Sequence, residues 1–407
     1  MIAPAATDSP SFVDFHAARL APELASRSTG LPPAYAQTLR PFGIRERETG
    51  QTVTYRYAPE SGRIEIARGD ESAATIIELS NESFIRLTED LESAPGLLYG
   101  EQAGRVRGDM MDFLQWEPAL RWMYCSRPVY DPDSVDLRDA NGCPLDPAHS
   151  FTPDDDPKEM AEFLRTIGYL WVRNVIPLEE IEELRAESDR LGQAAREGDQ
   201  ESWWGKRHDG SSVLCRILRA GKEPKMRSLH GDPRLERFAE LCDVPMSHRQ
   251  GPADQDGVTV LWKQPGIAEG LGDLPWHRDC GMGGHASMCP TAVLSLFLGP
   301  NTPAAGQIRF LPGSWESSFP FTDGSEAGGP LGVGPPAQPG DITFHYGDGL
   351  HIAPPPTSED GPFRSCILMG YTRDGGGHHL GERHYNDVLL GAEDGQVKDM
   401  RKVASES

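Results

Sequence analysis

The 407-residue chain contains no apolar run approaching the ~18 residues that a membrane-spanning helix requires. Its opening, Met1 to Pro10, carries neither the basic region nor the apolar stretch of a secretory signal. Basic residues are also scarce: 39 Lys and Arg stand against 62 Asp and Glu, giving a formal net charge of −23. Such a surface repels nucleic-acid phosphates and anionic membranes, and it keeps a protein soluble. Cysteine is sparse and unpatterned. The seven (Cys125, Cys143, Cys215, Cys242, Cys280, Cys289 and Cys366) form an odd set without a disulfide framework, which favours small buried residues in a reducing, cytoplasmic setting. No internal repeat is present.

What remains is a chain long enough for two or three domains at roughly 150 residues each. Residues 1–40 are rich in Ala, Pro and Ser and are expected to form an irregular or docking arm with at most a short helix. Between 41 and 126, alternating segments such as Gln51–Tyr57, Gly62–Ile66 and Ala74–Leu79 predict strands. Ser80 or Asn81 can cap a helix carrying Phe84, Leu87 and Leu91, and Gly104–Asp109 leads into a helix with Met110, Phe113, Leu114, Leu120 and Met123. This is a small α+β domain. A Pro- and Asp-rich linker follows over 127–157. A helix ending near Gly168, a strand from Tyr169 and an acidic helix from Pro177 to Leu191 then open a region of short strands that extends to about 390: Val258–Trp262, Thr291–Leu298, Gln307–Leu311, Asp341–His345 and Ser365–Tyr371. Evenly spaced strands between Gly and Pro turns read as a double-sheet jelly roll. Residues 391–407 are expected to form a tail.

The chemistry concentrates in Trp276-His277-Arg278-Asp279. In an extended segment the period of two points His277 and Asp279 to one face and Trp276 to the other. A later imidazole such as His351 would complete two His and one carboxylate, the set that suits Fe(II) with open positions for oxygen and a co-substrate. A rival reading is a zinc site from His277, Cys280, His285 and Cys289, whose spacing approximates a zinc knuckle; it leaves Asp279 and His351 idle. His285 and His345 are candidates for orienting the ligands or for a structural role. Trp203, Trp204 and Arg216 are candidates for covering the mouth of the site. His378, His379 and His384, after Gly375-Gly376-Gly377, read as tail or lid.

Two resemblances sharpen these expectations. The 41–126 segment, with Leu79-Ser80-Asn81-Glu82-Ser83-Phe84 and Gly104–Asp109 before an apolar helix, resembles the sterol-carrier-protein-2 type of domain, which implies an apolar tunnel and a lipid-like ligand. The ordered series Gly168–Val172, Lys263-Gln264-Pro265-Gly266, Trp276–Asp279, Gly306–Ser314, Pro339–His345, His351 and Arg364 resembles the phytanoyl-CoA dioxygenase family of Fe(II)/2-oxoglutarate oxygenases. The resemblance implies a C-terminal double-stranded β-helix (jelly roll, cupin-like) with flanking helices over 158–390, beside the smaller N-terminal sterol-carrier-like domain, in an α+β protein. Carried over position by position, it makes His277, Asp279 and His351 the iron ligands and Arg364 the partner of the distal carboxylate of 2-oxoglutarate, with Lys263 a further candidate for holding it.

The activity so implied is hydroxylation or desaturation of a small molecule, hydrophobic ones included, using Fe(II), 2-oxoglutarate and O2, with release of succinate and CO2. A carboxylate ligand at Asp279 leaves no vacated position for chloride, which disfavours halogenation. The chain departs from the family pattern at Ala353, where a small hydroxyl residue is common, and in the Pro354–Asp360 loop. The competing classes are a lipid-binding or transfer protein with a non-catalytic jelly roll and a zinc-stabilised interaction module. Substrate identity and oligomeric state, a homodimer included, are left open.

Overall fold

The computed structural model describes residues 11–27, 30–199, 201–248, 257–270, 272–279, 291–322, 330–373 and 400–407. Cys280, His285, Cys289, His378, His379 and His384 lie outside them.

The N-terminal domain is built on a five-stranded sheet of β1 (Phe42–Glu46), β2 (Thr52–Ala58), β3 (Arg63–Arg68), β4 (Thr75–Leu79) and β5 (Gly104–Arg107), in the order β3-β2-β1-β4-β5. The central β1–β4 pair is parallel and the others are antiparallel. Helix Asn81–Thr88 starts at Ser80, whose hydroxyl accepts from Ser83 N. Helix Met111–Cys125 lies against the sheet, and its Phe113 and Trp116 stack on Phe42.

Two terminal segments differ from expectation. Residues 12–26 are helical, and Phe12, Phe15 and Leu20 are buried in the same core as Phe84, Trp116 and Tyr124. Burying such side chains contributes ~1.5–3 kcal/mol each, which outweighs the weak local signal of an Ala- and Pro-rich sequence. Likewise helix Met400–Glu406, in the expected tail, buries Met400 and Ala404 in this core and packs on helix Ala94–Tyr99. The core of this domain is rich in aromatic side chains, and a cavity of about 430 Å³ is lined by Leu24, Ile64, Ile66 and Trp122 among others.

Helix Pro157–Ile167 is capped by Asp156, whose carboxylate accepts from Lys158 N, and stops at Gly168. Gly168 has φ +92°, and a Cβ there would meet Trp315, so the sharp exit into β6 (Tyr169–Val172) requires glycine. After helix Leu178–Ala194 come β7 (Ser202–Arg207), β8 (Ser212–Ile217), β9 (Met246–His248), β10 (Val258–Trp262), β11 (Ile267–Glu269), β12 (Leu274–His277), β13 (Thr291–Phe297), β14 (Arg309–Phe310), β15 (Ile342–Tyr346), β16 (His351–Ala353) and β17 (Ser365–Arg373).

Among the described residues these make two sheets. The larger runs β11-β7-β8-β10-β17-β13-β15-β6, with β9 also paired to β17, and the smaller runs β12-β16-β14. The strand pairs of both sheets are antiparallel. Phe310 of the small sheet stacks on Tyr169 of the large one, with ring centroids 4.5 Å apart, so the two layers close over one core. This two-layer arrangement is compatible with the jelly roll that the strand pattern predicts. The outer face of the small sheet carries a separate apolar cluster of Trp276, Leu311, Leu350 and Ile352.

Candidate active site

Pairing of β12 with β16 sets His277 directly opposite His351, and their ring centroids stand 4.2 Å apart. Asp279 lies two residues beyond the end of the pairing, where its N–H donates to Gly347 O at 2.9 Å. Its Oδ1 is thereby brought to 3.6 Å from His351 Nε2 and 4.0 Å from His277 Nε2. One ligand atom from each of the three residues falls within 4.8 Å of the others, close enough to converge on one ion. Trp276 points to the opposite face, as the alternation predicts.

The surrounding hydrogen bonds orient this set. His277 Nδ1–H donates to Pro275 O at 2.8 Å and His351 Nδ1–H donates to Gly349 O at 3.0 Å, which leaves both Nε2 lone pairs facing the centre. Asp279 Oδ2 accepts from His345 Nε2–H at 3.1 Å. Leu350 N, next to His351, donates to Ser314 Oγ at 2.8 Å, which gives the Pro312-Gly313-Ser314 turn its part in the site.

Burial lowers the pKa of His277 and, much further, that of His351. Burial opposes ionisation of Asp279, yet His351, the hydrogen bond from His345 and the nearby His277 outweigh it and hold the carboxyl well below the ordinary range. Neutral imidazoles beside an ionised carboxylate are the protonation states in which these groups bind a metal.

Arg364 is 2% exposed. Its Nε–H donates to Gly306 O at 2.8 Å, its Nη1 contacts Cys366 Sγ at 3.8 Å, and its Nη2 is buried without a protein acceptor. A buried guanidinium with an unused edge is a site for a carboxylate, which would remove the cost of the orphaned donor. Arg216 adds positive potential here. Its charge disfavours protonation of His277 and Arg364, and its guanidinium lies 4.6 Å over the ring of buried Trp203.

Lys263 is held by the protein on all sides. It is 1% exposed, and its Nζ donates to Gly272 O and Ala353 O at 2.9 Å each and to Asp273. All three N–H groups have protein partners in this structure, and the Lys263 backbone N–H donates to Arg364 O at 2.8 Å. Asp273 had no distinguishing sequence signal. His345 had one, since Asp341-Ile342-Thr343-Phe344-His345 reads as a strand running into the site. A cavity of about 80 Å³ adjoins β12 and is walled on its other side by the N-terminal domain; its lining includes Tyr99, Glu117, Trp276, His277 and Phe319.

The family model described as Phytanoyl-CoA dioxygenase (PhyH) matches residues 164–366, a span that contains His277, Asp279, His345, His351 and Arg364. No curated protein matches the chain. Among solved structures, the chain is similar to AviO1 from Streptomyces viridochromogenes Tue57, at 23% identity over 54% of this chain and 96% of that one, with a TM-score of 0.42. It is also similar to the non-heme alpha-ketoglutarate-dependent epimerase SnoN from nogalamycin biosynthesis, at 21% identity over 53% and 83% (TM-score 0.41). A third is HygX from Streptomyces hygroscopicus, solved with nickel and 2-oxoglutarate bound, at 17% identity over 54% and 88% (TM-score 0.39). The cofactors of this site are iron, 2-oxoglutarate and O2: the donor set fits the metal, the free edge of Arg364 fits the co-substrate carboxylate, and both lie in the PhyH-matching region.

Proposed function

We propose that the protein is a non-haem Fe(II)/2-oxoglutarate-dependent oxygenase that hydroxylates or desaturates a small molecule. The observation that carries this reading is the convergence of His277 Nε2, His351 Nε2 and Asp279 Oδ1, together with the buried Arg364 whose Nη2 has no protein acceptor. His277, Asp279 and His351 would hold the iron on one face and leave the opposite face for co-substrate and oxygen. When bound, the iron and 2-oxoglutarate supply the oxidising power: 2-oxoglutarate and O2 yield succinate and CO2, and the second oxygen atom enters the substrate as hydroxyl or leaves as water on desaturation.

The protein's part is placement. Arg364 holds the distal carboxylate, Gly306 O fixes the Arg364 guanidinium, and the backbone acceptors of His277 and His351 keep both imidazoles aimed. The cavity between β12 and the N-terminal domain is lined by Trp276, Leu350 and Phe319 with the charged Glu117, Arg121 and Arg278, and it meets the ligand set at His277. The position of that domain against β12 supports a role as cover for this cavity, within a sterol-carrier-like frame.

The test is oxygen-dependent conversion of 2-oxoglutarate to succinate by the Fe(II)-loaded protein. The parent is expected to form succinate, and Asp279→Ala to form at least ~100-fold less, a loss of about 2.7 kcal/mol in barrier terms. Equal turnover by the two proteins, or none by either, would refute the proposal.

A further inference from the structure

The turn between β15 and β16, residues 347–350, touches both sides of the metal site. Gly347 O accepts from Asp279 N, Gly349 O accepts from His351 Nδ1, and Leu350 N donates to Ser314 Oγ. The residue between the two carbonyls is Asp348, 2% exposed, whose Oδ2 pairs at 2.9 Å with Nη2 of Arg127. Arg127 is itself 4% exposed and follows directly on the last helix of the N-terminal domain. The same Nη2 donates to Trp315 O at 3.1 Å, while Nη1 lies 3.4 Å from Asp90, a carboxylate that pairs at 2.7 Å with Arg121 of that helix. All four charged side chains are buried.

We propose that Asp348 and Arg127 are positioning residues for the metal site, joining the N-terminal domain to the turn that aims Asp279 and His351. The inference rests on the metal reading above. Burying these charges is costly unless geometry and partners are fixed, so the pair holds the turn in one place as long as both members are present. Arg278, between two ligands in sequence, donates from its Nη2 to Ser317 O, two residues on from the Trp315 carbonyl that Arg127 holds. The N-terminal domain therefore contributes to metal affinity without supplying a ligand. Partners that orient metal ligands typically alter affinity ~10–100-fold when removed, and Asp348 acts one bond further out, through the backbone.

The test is anaerobic Fe(II) titration of the full-length chain, followed by the visible charge-transfer band with 2-oxoglutarate. Asp348→Asn and the milder Arg127→Lys are compared with Phe163→Leu, a core change on helix Pro157–Ile167 remote from the ligands. The expected result is about tenfold weaker Fe(II) binding in Asp348→Asn and a smaller loss in Arg127→Lys. Phe163→Leu should lower the thermal midpoint and keep parental affinity. Parental Fe(II) affinity in both folded charge variants would overturn the inference, as would an equal loss in Phe163→Leu, which would make the effect one of stability alone. Absence of the band in the parent would instead count against the oxygenase reading itself.

Discussion

Asp279 divides its two oxygens: Oδ1 faces His277 and His351, while Oδ2 accepts a hydrogen bond from His345 at 3.1 Å. A carboxylate held this way presents one oxygen to an ion and is restrained from swinging the second one in. His345→Phe is expected to retain the fold and to weaken Fe(II) binding ~10–100-fold, the usual range for losing a partner of a metal ligand. Isothermal titration under nitrogen checks this; an unchanged dissociation constant would show that His345 is only core.

Arg364 should account for most of the affinity for 2-oxoglutarate. A charge-assisted hydrogen bond in a buried setting is worth ~1.5–3 kcal/mol, and a lysine offers a point charge in place of a fork. Arg364→Lys is therefore expected to raise the 2-oxoglutarate dissociation constant ~10–100-fold while leaving Fe(II) binding near the parental value. Equal loss of both would mean that Arg364 supports the fold and not the co-substrate.

Gly306 couples the two buried cations. It has φ +83°, a Cβ would lie 2.8 Å from Lys263 Cε, and its carbonyl fixes Arg364 Nε. Gly306→Ala is expected to cost ~1–3 kcal/mol in urea unfolding and to weaken 2-oxoglutarate binding in parallel. Parental stability together with parental co-substrate affinity would contradict this.

Acid sensitivity of the N-terminal domain should trace in part to His16. Burial lowers its pKa from 6.5 to about 4, only partly offset by its hydrogen bond to Phe12 O; its Nε2 meets Tyr55 Oη at 2.5 Å. The unfolded chain takes up this proton near pH 6.5 and the folded one near pH 4. The contribution is thus present above pH 6.5, falls as the pH drops through the interval, and amounts to ~3 kcal/mol. His16→Gln should show a shallower loss of stability between pH 6.5 and 4 than the parent. Parallel profiles would rule this out.

The metal ligands were legible because strand period and residue type act locally: His277 and Asp279 sit two apart, and His351 and Arg364 fall in a recognisable order around them. The strands of the C-terminal region were legible for the same reason, Val258–Trp262 to the residue. What was not legible depends on distance in sequence. Asp348 meets Arg127 across 221 positions, and nothing near either residue announces the other. The partners of Lys263 Nζ, Asp273 and the carbonyls of Gly272 and Ala353, were likewise not legible, since the last lies 90 positions away. The helix over 12–26 was masked by its composition, since its stability comes from packing on Phe84 and Tyr124 and not from propensity.

The central claim is that His277, Asp279, His351 and Arg364 form one iron and 2-oxoglutarate site. Its most direct test is anaerobic addition of Fe(II) and then 2-oxoglutarate, recorded as a visible absorption spectrum for the parent, His277→Ala and Arg364→Ala. The account predicts a weak charge-transfer band in the parent, none in His277→Ala, and in Arg364→Ala a band that appears only at much higher 2-oxoglutarate. A parent without the band, or three identical spectra, would contradict it.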